Sequence, residues 1–255
     1  MTTKDNRTLI VRIGRSTLTF FTGEGNAEAT PYDMKSGMSV AANLREAFKV
    51  LPALNGRWTK GYLLADTQPM PVPDSEYAPA DADLLYRHTF SGHERDTIMS
   101  ITVEALHAVV LFGIDKDLPT VMGDHCDEVD YLPTPLPVWR RIGRQGDGNR
   151  ETLYGYFHDD KMDVFAFRKH RFRFCNSFSA THSHDALFYL LSVFTQLGMK
   201  GERDELVLLG NDSHLQWVEE QLKEYVKRSR RMSAGDLGLS DDHLPADTAL
   251  LLQQI

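Results

Sequence analysis

Cysteine is scarce: Cys126 and Cys175 are the only two in 255 residues, far apart and outside any Cys-x-x-Cys pair. That excludes a disulfide framework and a cysteine-built zinc site, and reads as two free thiols in a reducing compartment. Long apolar runs are also missing. Nothing approaches the ~20 residues of a membrane helix, and the polar start Met1–Arg7 lacks the apolar core of a signal peptide, so the expectation is a cytoplasmic chain without a membrane span. Nor is there a basic excess. A formal net charge of −8 and a pI near 5.7 argue against a protein devoted to binding phosphate backbones, so nucleic acid is not the expected partner. The chain has no Gly-x-Ser-x-Gly elbow, no Gly-x-x-x-x-Gly-Lys loop and no His-Glu-x-x-His helix, which removes the common hydrolase, P-loop and zinc-protease signatures.

What is present is an ordinary globular composition, 42% hydrophobic and 25% charged, long enough for one large domain or two small ones. Leu9–Gly14 reads as a strand, Gly14-Arg15 as a tight hairpin turn, and Ser16–Phe21 as a second strand. Glu28–Met34 suits a third, with Pro31 marking an edge. Ser39 can cap a helix with Val40, Leu44, Ala47, Phe48 and Leu51 at helical spacing, which Pro52 stops. Arg57–Ala65 looks extended, Pro69, Pro71 and Pro73 suggest a loop, and a short helix follows over 80–87. Thr97–Val103 and the nearly all-apolar His107–Ile114 read as strands, the latter central; Asp117 and Pro119 open a short helix. From Pro133 to Gly148 alternating prolines and then glycines suggest a connector, which divides the chain into 1–146, with an inserted segment, and 147–255.

The stretch Leu153–Asn211 carries the clearest pattern. Leu153–His158, Met162–Phe167 and Phe172–Ser177 form a three-stranded meander, followed by a helix that bears Leu187, Leu190, Leu191, Phe194 and Leu197 and ends at Gly198. Glu205–Gly210 is a short apolar strand, and Ser213 with Gln216 forms a capping box for a helix reaching Tyr225 and Val226. Both halves therefore run strand, strand, strand, helix, with Leu18 and Met162 at equivalent places in the second strand. In such a unit the strand after the helix pairs parallel to the first.

Ile10–Phe21, Met162–Leu197 with its Arg173–Phe178 strand end, and Leu206–Asn211 leading into a helix resemble a small bacterial family of unknown function with an actin-like ATPase fold. It is distantly similar to the cytoplasmic actin-like proteins of pilus assembly and type II secretion. The resemblance implies an α/β protein of two ribonuclease-H-like lobes, each a mixed sheet with flanking helices, and a cleft between them. It further implies a place for ATP with magnesium, the phosphates on two hairpin turns and the adenosine on a Gly-Gly turn. The residues so implied are Gly14, Arg15 and Ser16, Asp159 and Asp160, and Gly210 and Asn211. The chain departs from that pattern. Arg12 stands where an aspartate would organise magnesium, two carboxylates occupy the second turn, and Asn211, a residue that tolerates a left-handed backbone, replaces the second glycine.

Each remaining cluster has two readings. Asp159-Asp160 suits a metal or acid–base pair, or merely forms a turn. His182, His184 and Asp185, joined by His158, suit a metal site, but residues two apart at a helix start point to different faces. The run Arg168–Phe174 alternates basic and aromatic residues as single-strand binders do, or as a strand with Phe172 and Phe174 inward and Arg171 and Arg173 outward. Lys227–Arg231 reads as a docking patch or as cations closing a helix C-terminus. Taken together, the sequence leads to a non-hydrolysing binding or scaffolding protein with a protein partner and no expected cofactor. The alternatives are an atypical ATPase or kinase and an RNA-associated protein.

Overall fold

The computed structural model describes residues 7–22, 28–145, 151–168, 171–211, 213–240 and 243–255. Packing divides the chain into two compact units, one of Met1–Pro69, Ala78–Ile101 and Leu111–Thr134, the other of Met70–Tyr77, Thr102–Val110 and Pro135–Ile255.

In the first unit β1 (Thr8–Ile13), β2 (Thr17–Thr22) and β3 (Glu28–Asp33) form an antiparallel meander, α1 spans Val40–Val50, and β4 (Trp58–Ala65) returns parallel to β1. The Ser39 hydroxyl caps α1 by accepting the Ala42 N–H at 3.1 Å. Its buried stripe of Leu44, Ala47 and Phe48 packs on Leu9, Val11, Phe20 and Leu63 of the sheet. The chain continues through β5 (Met70–Pro73), α2 (Ala82–Thr89), β6 (Asp96–Val103), β7 (Ala108–Asp115), α3 (Leu118–His125) and β8 (Cys126–Pro133). β8 joins the first sheet beside β4, giving the order β3-β2-β1-β4-β8, while β5, β7 and β6 form a three-stranded sheet with β7 central.

The second unit, which also takes in β5 and the start of β7, contains α4 (Leu136–Gln145), β9 (Thr152–His158), β10 (Lys161–Arg168), β11 (Arg171–Ser179), α5 (Ser183–Gln196), β12 (Glu205–Gly210), α6 (Leu215–Leu222), β13 (Ser229–Arg231) and α7 (Ala246–Leu252). Its sheet runs β11-β10-β9-β12-β13, the same third, second, first, fourth, fifth order as the first unit, and β12 pairs parallel with both neighbours. Alternation along β9 and β10 sends Leu153, Phe157, Met162 and Val164 toward Leu190 of α5 and Val218 of α6. The other face meets α4, where the Trp139 ring lies 6.0 Å from Phe165 and 4.9 Å from Phe172. α5 ends as expected: Gly198 takes a φ of 69°, and the Met199 N–H returns to Phe194 O at 3.1 Å.

Several expectations need correction. Gly14 donates its N–H to Thr17 O, so the first turn is Arg15-Ser16, one residue later than the glycine suggests. The proline stretch at 69–73 is not all loop: Met70–Pro73 is an edge strand, where missing amides cost no ladder bonds. The 133–148 connector contains α4, whose buried Leu136, Trp139 and Ile142 recur at helical spacing. α6 has His214 at its N-cap without a side-chain bond, so Ser213 forms no capping box, and it stops at Leu222. The basic run at 227–231 is not a helix end but leads into β13. Finally, the register shifts between Ala166 and Phe167, which pair with Phe174 and Phe172. Arg173 is the extra residue of a bulge, so the two phenylalanines face opposite sides of the sheet. The expected turn at 168–170 lies partly outside the described residues.

Candidate functional site

The second hairpin is built by register. Lys161 pairs with His158, leaving Asp159-Asp160 as a two-residue turn, and both aspartates are left-handed, with φ of 48° and 56°. That is the backbone of a type I′ turn, whose twist matches the flanking strands. The first hairpin has the same length, and Leu18 and Met162 are indeed equivalent, each two residues past its turn. Gly14 is buried in the first unit, with Arg15 and Ser16 exposed.

His158 is buried beneath the second turn. Its Nε2 lies 2.8 Å from Asp163 Oδ2 and its Nδ1 3.0 Å from Asp159 Oδ2. With a carboxylate at each nitrogen, the ring is held as an imidazolium that donates to both. Burial alone would lower its pKa, but the charges and hydrogen bonds of Asp163 and Asp159, with Asp247 behind them, push it up to about 9. Burial would raise the Asp163 carboxyl in turn; His158 and the Ser177 hydroxyl, which donates to Asp163, hold it below its ordinary value. This is not a nucleophilic triad. Ser177 bonds the carboxylate and not the imidazole, and His158 has no nitrogen left to act as a base.

The Tyr156 ring stacks on His158 at 4.7 Å. Its hydroxyl donates to Asp247 Oδ2 at 2.6 Å and accepts the Asp247 N–H at 3.3 Å, while Thr248 donates to Asp247 Oδ1 at 2.7 Å. Sequence reasoning missed Tyr156, Asp163 and Asp247. A lone aspartate inside the apolar run Met162–Phe167 was a usable signal; nothing marked Asp247.

Gly210 ends β12 opposite Phe157 with a φ of 113°. A Cβ there would lie 2.1 Å from the Phe157 carbonyl oxygen, so only glycine fits. The left-handed position is Gly210 itself. Asn211 is exposed and is not among the described non-glycine residues with positive φ, so its tolerance of that conformation is not used. Gly210 and Asn211 line a cavity of about 280 Å³ together with the apolar Met232, Leu237, Leu239 and Leu244 and the polar Arg231 and Ser233.

The other clusters dissolve into structure. His184 lies against Trp217 at 4.4 Å, and Ser183 Oγ meets His214 Nδ1 at 2.9 Å. Among the described residues no group of three or more His, Cys, Asp and Glu is placed to hold a metal ion. Arg168 and Arg173 both meet Glu151, and Arg230 meets Glu205 at 2.8 Å. Among the described residues no helix is long and apolar enough to cross a membrane.

Two sheets of identical strand order, each with a helical crossover between parallel strands and a tight hairpin at the end of the first strand, define an actin-like ATPase fold. The chain belongs to the family of proteins of unknown function DUF3822, whose match spans residues 1–228. Among solved structures it is similar to a protein of Bacteroides thetaiotaomicron with an actin-like ATPase fold and unknown function. The two share 22% identity and a TM-score of 0.81, over 97% of this chain and 96% of that one. A chain of the PilM-PilN type IV pilus biogenesis complex aligns at 13% identity and a TM-score of 0.56, covering 92% of this chain and 90% of that one. The cytoplasmic domain of EpsL from the Vibrio cholerae type II secretion system aligns at 12% identity and a TM-score of 0.48, over 97% and 94%. The first two likenesses speak to the fold. A search of curated proteins found no match.

Proposed function

We propose that this chain is a cytoplasmic actin-like binding or scaffolding protein that does not hydrolyse ATP efficiently and acts by holding a protein partner. Under this reading residues 1–146 and 147–255 are its two lobes. The second hairpin carries the argument. Where a phosphate would need amides and small residues, this turn presents Asp159 and Asp160, and the cation buried beneath it, His158, is already engaged by two carboxylates. Three acidic groups around one imidazolium leave the space beneath the turn anionic, which repels phosphate. Arg12, buried in β1 where an aspartate would organise magnesium, points the same way. The residues of this hairpin and of β1 do not fit ATP with magnesium. The PilM-PilN complex supports a protein partner for a chain of this fold.

The test is a calorimetric titration with ATP, with and without magnesium, on the full chain. The expected result is no heat of binding at millimolar nucleotide. Micromolar binding lost in an Asp159→Ala, Asp160→Ala double variant would establish instead an atypical ATPase or kinase using Gly14, Arg15, Ser16, Asp159, Asp160, Gly210 and Asn211. One observation favours that second reading: Gly210 keeps a left-handed glycine turn beside a cavity.

A further inference from the structure

We infer that the cavity beside Gly210 binds a small amphipathic carboxylate, an aliphatic body with one anionic head, in place of a nucleoside. The inference rests on the reading of this turn as one that no longer serves ATP. Met232, Leu237, Leu239 and Leu244 supply aliphatic walls to a space of about 280 Å³, close to the lower end of small-molecule pockets at ~300 Å³. The four aliphatic side chains offer no hydrogen bond to a purine edge, and the polar groups of the lining, Asn211, Arg231 and Ser233, suit a single anionic head.

The head group is specified by Arg231. In the basic run, Lys227 is held by Glu202 at 2.7 Å and Arg230 by Glu205 at 2.8 Å. Arg231, which lines the cavity, meets among the described residues the Gly210 carbonyl, at a long 3.4 Å. It is thus a cation without a carboxylate among the described residues, at the edge of an aliphatic pocket, in a chain of net charge −8. Asn211, also on the lining, makes no side-chain hydrogen bond among the described residues and can donate to the second carboxylate oxygen.

The pocket wall is pre-formed. Ser233 N–H donates to Asp236 Oδ2 at 2.7 Å and Asp236 N–H to Ser233 Oγ at 3.2 Å, while Gln253 donates to Gly238 O at 2.8 Å. Little ordering is therefore left for a ligand to impose.

The experiment titrates the full chain with sodium octanoate, with octan-1-ol and octylamine as neutral and cationic counterparts and adenosine as the nucleoside arm. The expected result is one octanoate per chain, with binding weakened about tenfold by Arg231→Met while octanol binding changes less than about twofold. Ala234→Phe, which fills the half-buried lining position, removes both. Equal binding of octanoate and octylamine, or octanoate binding untouched by Arg231→Met, overturns the inference. Octanoate failing while ATP also fails overturns the carboxylate site and leaves the scaffold reading standing. Adenosine or ATP displacing octanoate, or binding alone, overturns both.

Discussion

Tyr156 donates its phenolic proton to Asp247 at 2.6 Å across 91 positions of sequence, and neither side chain reaches solvent. This bond ties α7 to the strand that leads into the second hairpin. Because the Tyr156 ring also stacks on His158, the C-terminal helix and the buried imidazolium share one electrostatic unit. Tyr156→Phe keeps the stack but removes a donor from the Asp247 carboxylate and an acceptor from its backbone N–H, leaving the Thr248 hydroxyl in place. The expected loss is about 1–3 kcal/mol, the cost of a buried charged acceptor short of a donor. Urea denaturation checks it, and an unchanged midpoint would mean that the bond contributes nothing.

The buried imidazolium makes stability fall on the alkaline side. Raised from 6.5 to about 9 in the fold, His158 binds its proton more tightly there than in the unfolded chain. Its contribution is fully present below about pH 6.5 and is lost as pH rises through about 9, to roughly 3 kcal/mol in total. Asp163, held below its ordinary value, works at the other end: its contribution is lost as pH falls through its native pKa. Denaturation free energies at about pH 6 and about pH 10 should therefore differ in the wild type, and His158→Gln should flatten that difference. A wild-type profile that is already flat on the alkaline side contradicts the caged imidazolium.

How much of this was legible in the sequence follows from how local each signal is. The meander β9–β11 and the helices α1 and α5 could be read because alternation, a Ser39 cap and a Gly198 stop are written in adjacent residues. β8 could not. Asp127, Glu128 and Asp130 line an element with few buried residues, and only its parallel pairing with β4 makes it a strand. β13 and α7 are three and seven residues long, too short for a period to show. The turn at Asp159-Asp160 was visible as a turn. The cage beneath it was not, because Asp163 reaches His158 through hairpin register and Asp247 through tertiary packing.

Two left-handed glycines separate steric cost from backbone strain. A methyl placed on Gly198, at a φ of 69°, would have nothing within 4 Å, whereas on Gly210 it would meet the Phe157 carbonyl at 2.1 Å. Gly198→Ala should cost about 1 kcal/mol, the left-handed penalty alone. Gly210→Ala adds a collision with backbone, which cannot swing away, so its loss should exceed about 3 kcal/mol or prevent folding. Side-by-side chemical denaturation distinguishes them. Equal losses would mean that β9 and β12 can part at little cost.

The adjacent turn residues should respond differently, although both are aspartates with positive φ. Asp160 is exposed and left-handed, so Asp160→Gly trades relief of the Cβ penalty, worth up to about 1 kcal/mol, against a surface carboxylate whose contribution is of the same size, and should leave stability nearly unchanged. Asp159→Gly relieves the same penalty but takes the carboxylate from His158 Nδ1, 3.0 Å away, leaving a buried imidazolium with one partner. That loss, about 1–3 kcal/mol, outweighs the backbone gain, and with less anionic charge nearby the His158 pKa should fall. Thermal denaturation gives the two shifts, and NMR titration of the imidazole gives the pKa. If both variants stabilise equally, the carboxylate of Asp159 is a turn former only, and the charge argument against phosphate at this hairpin weakens with it.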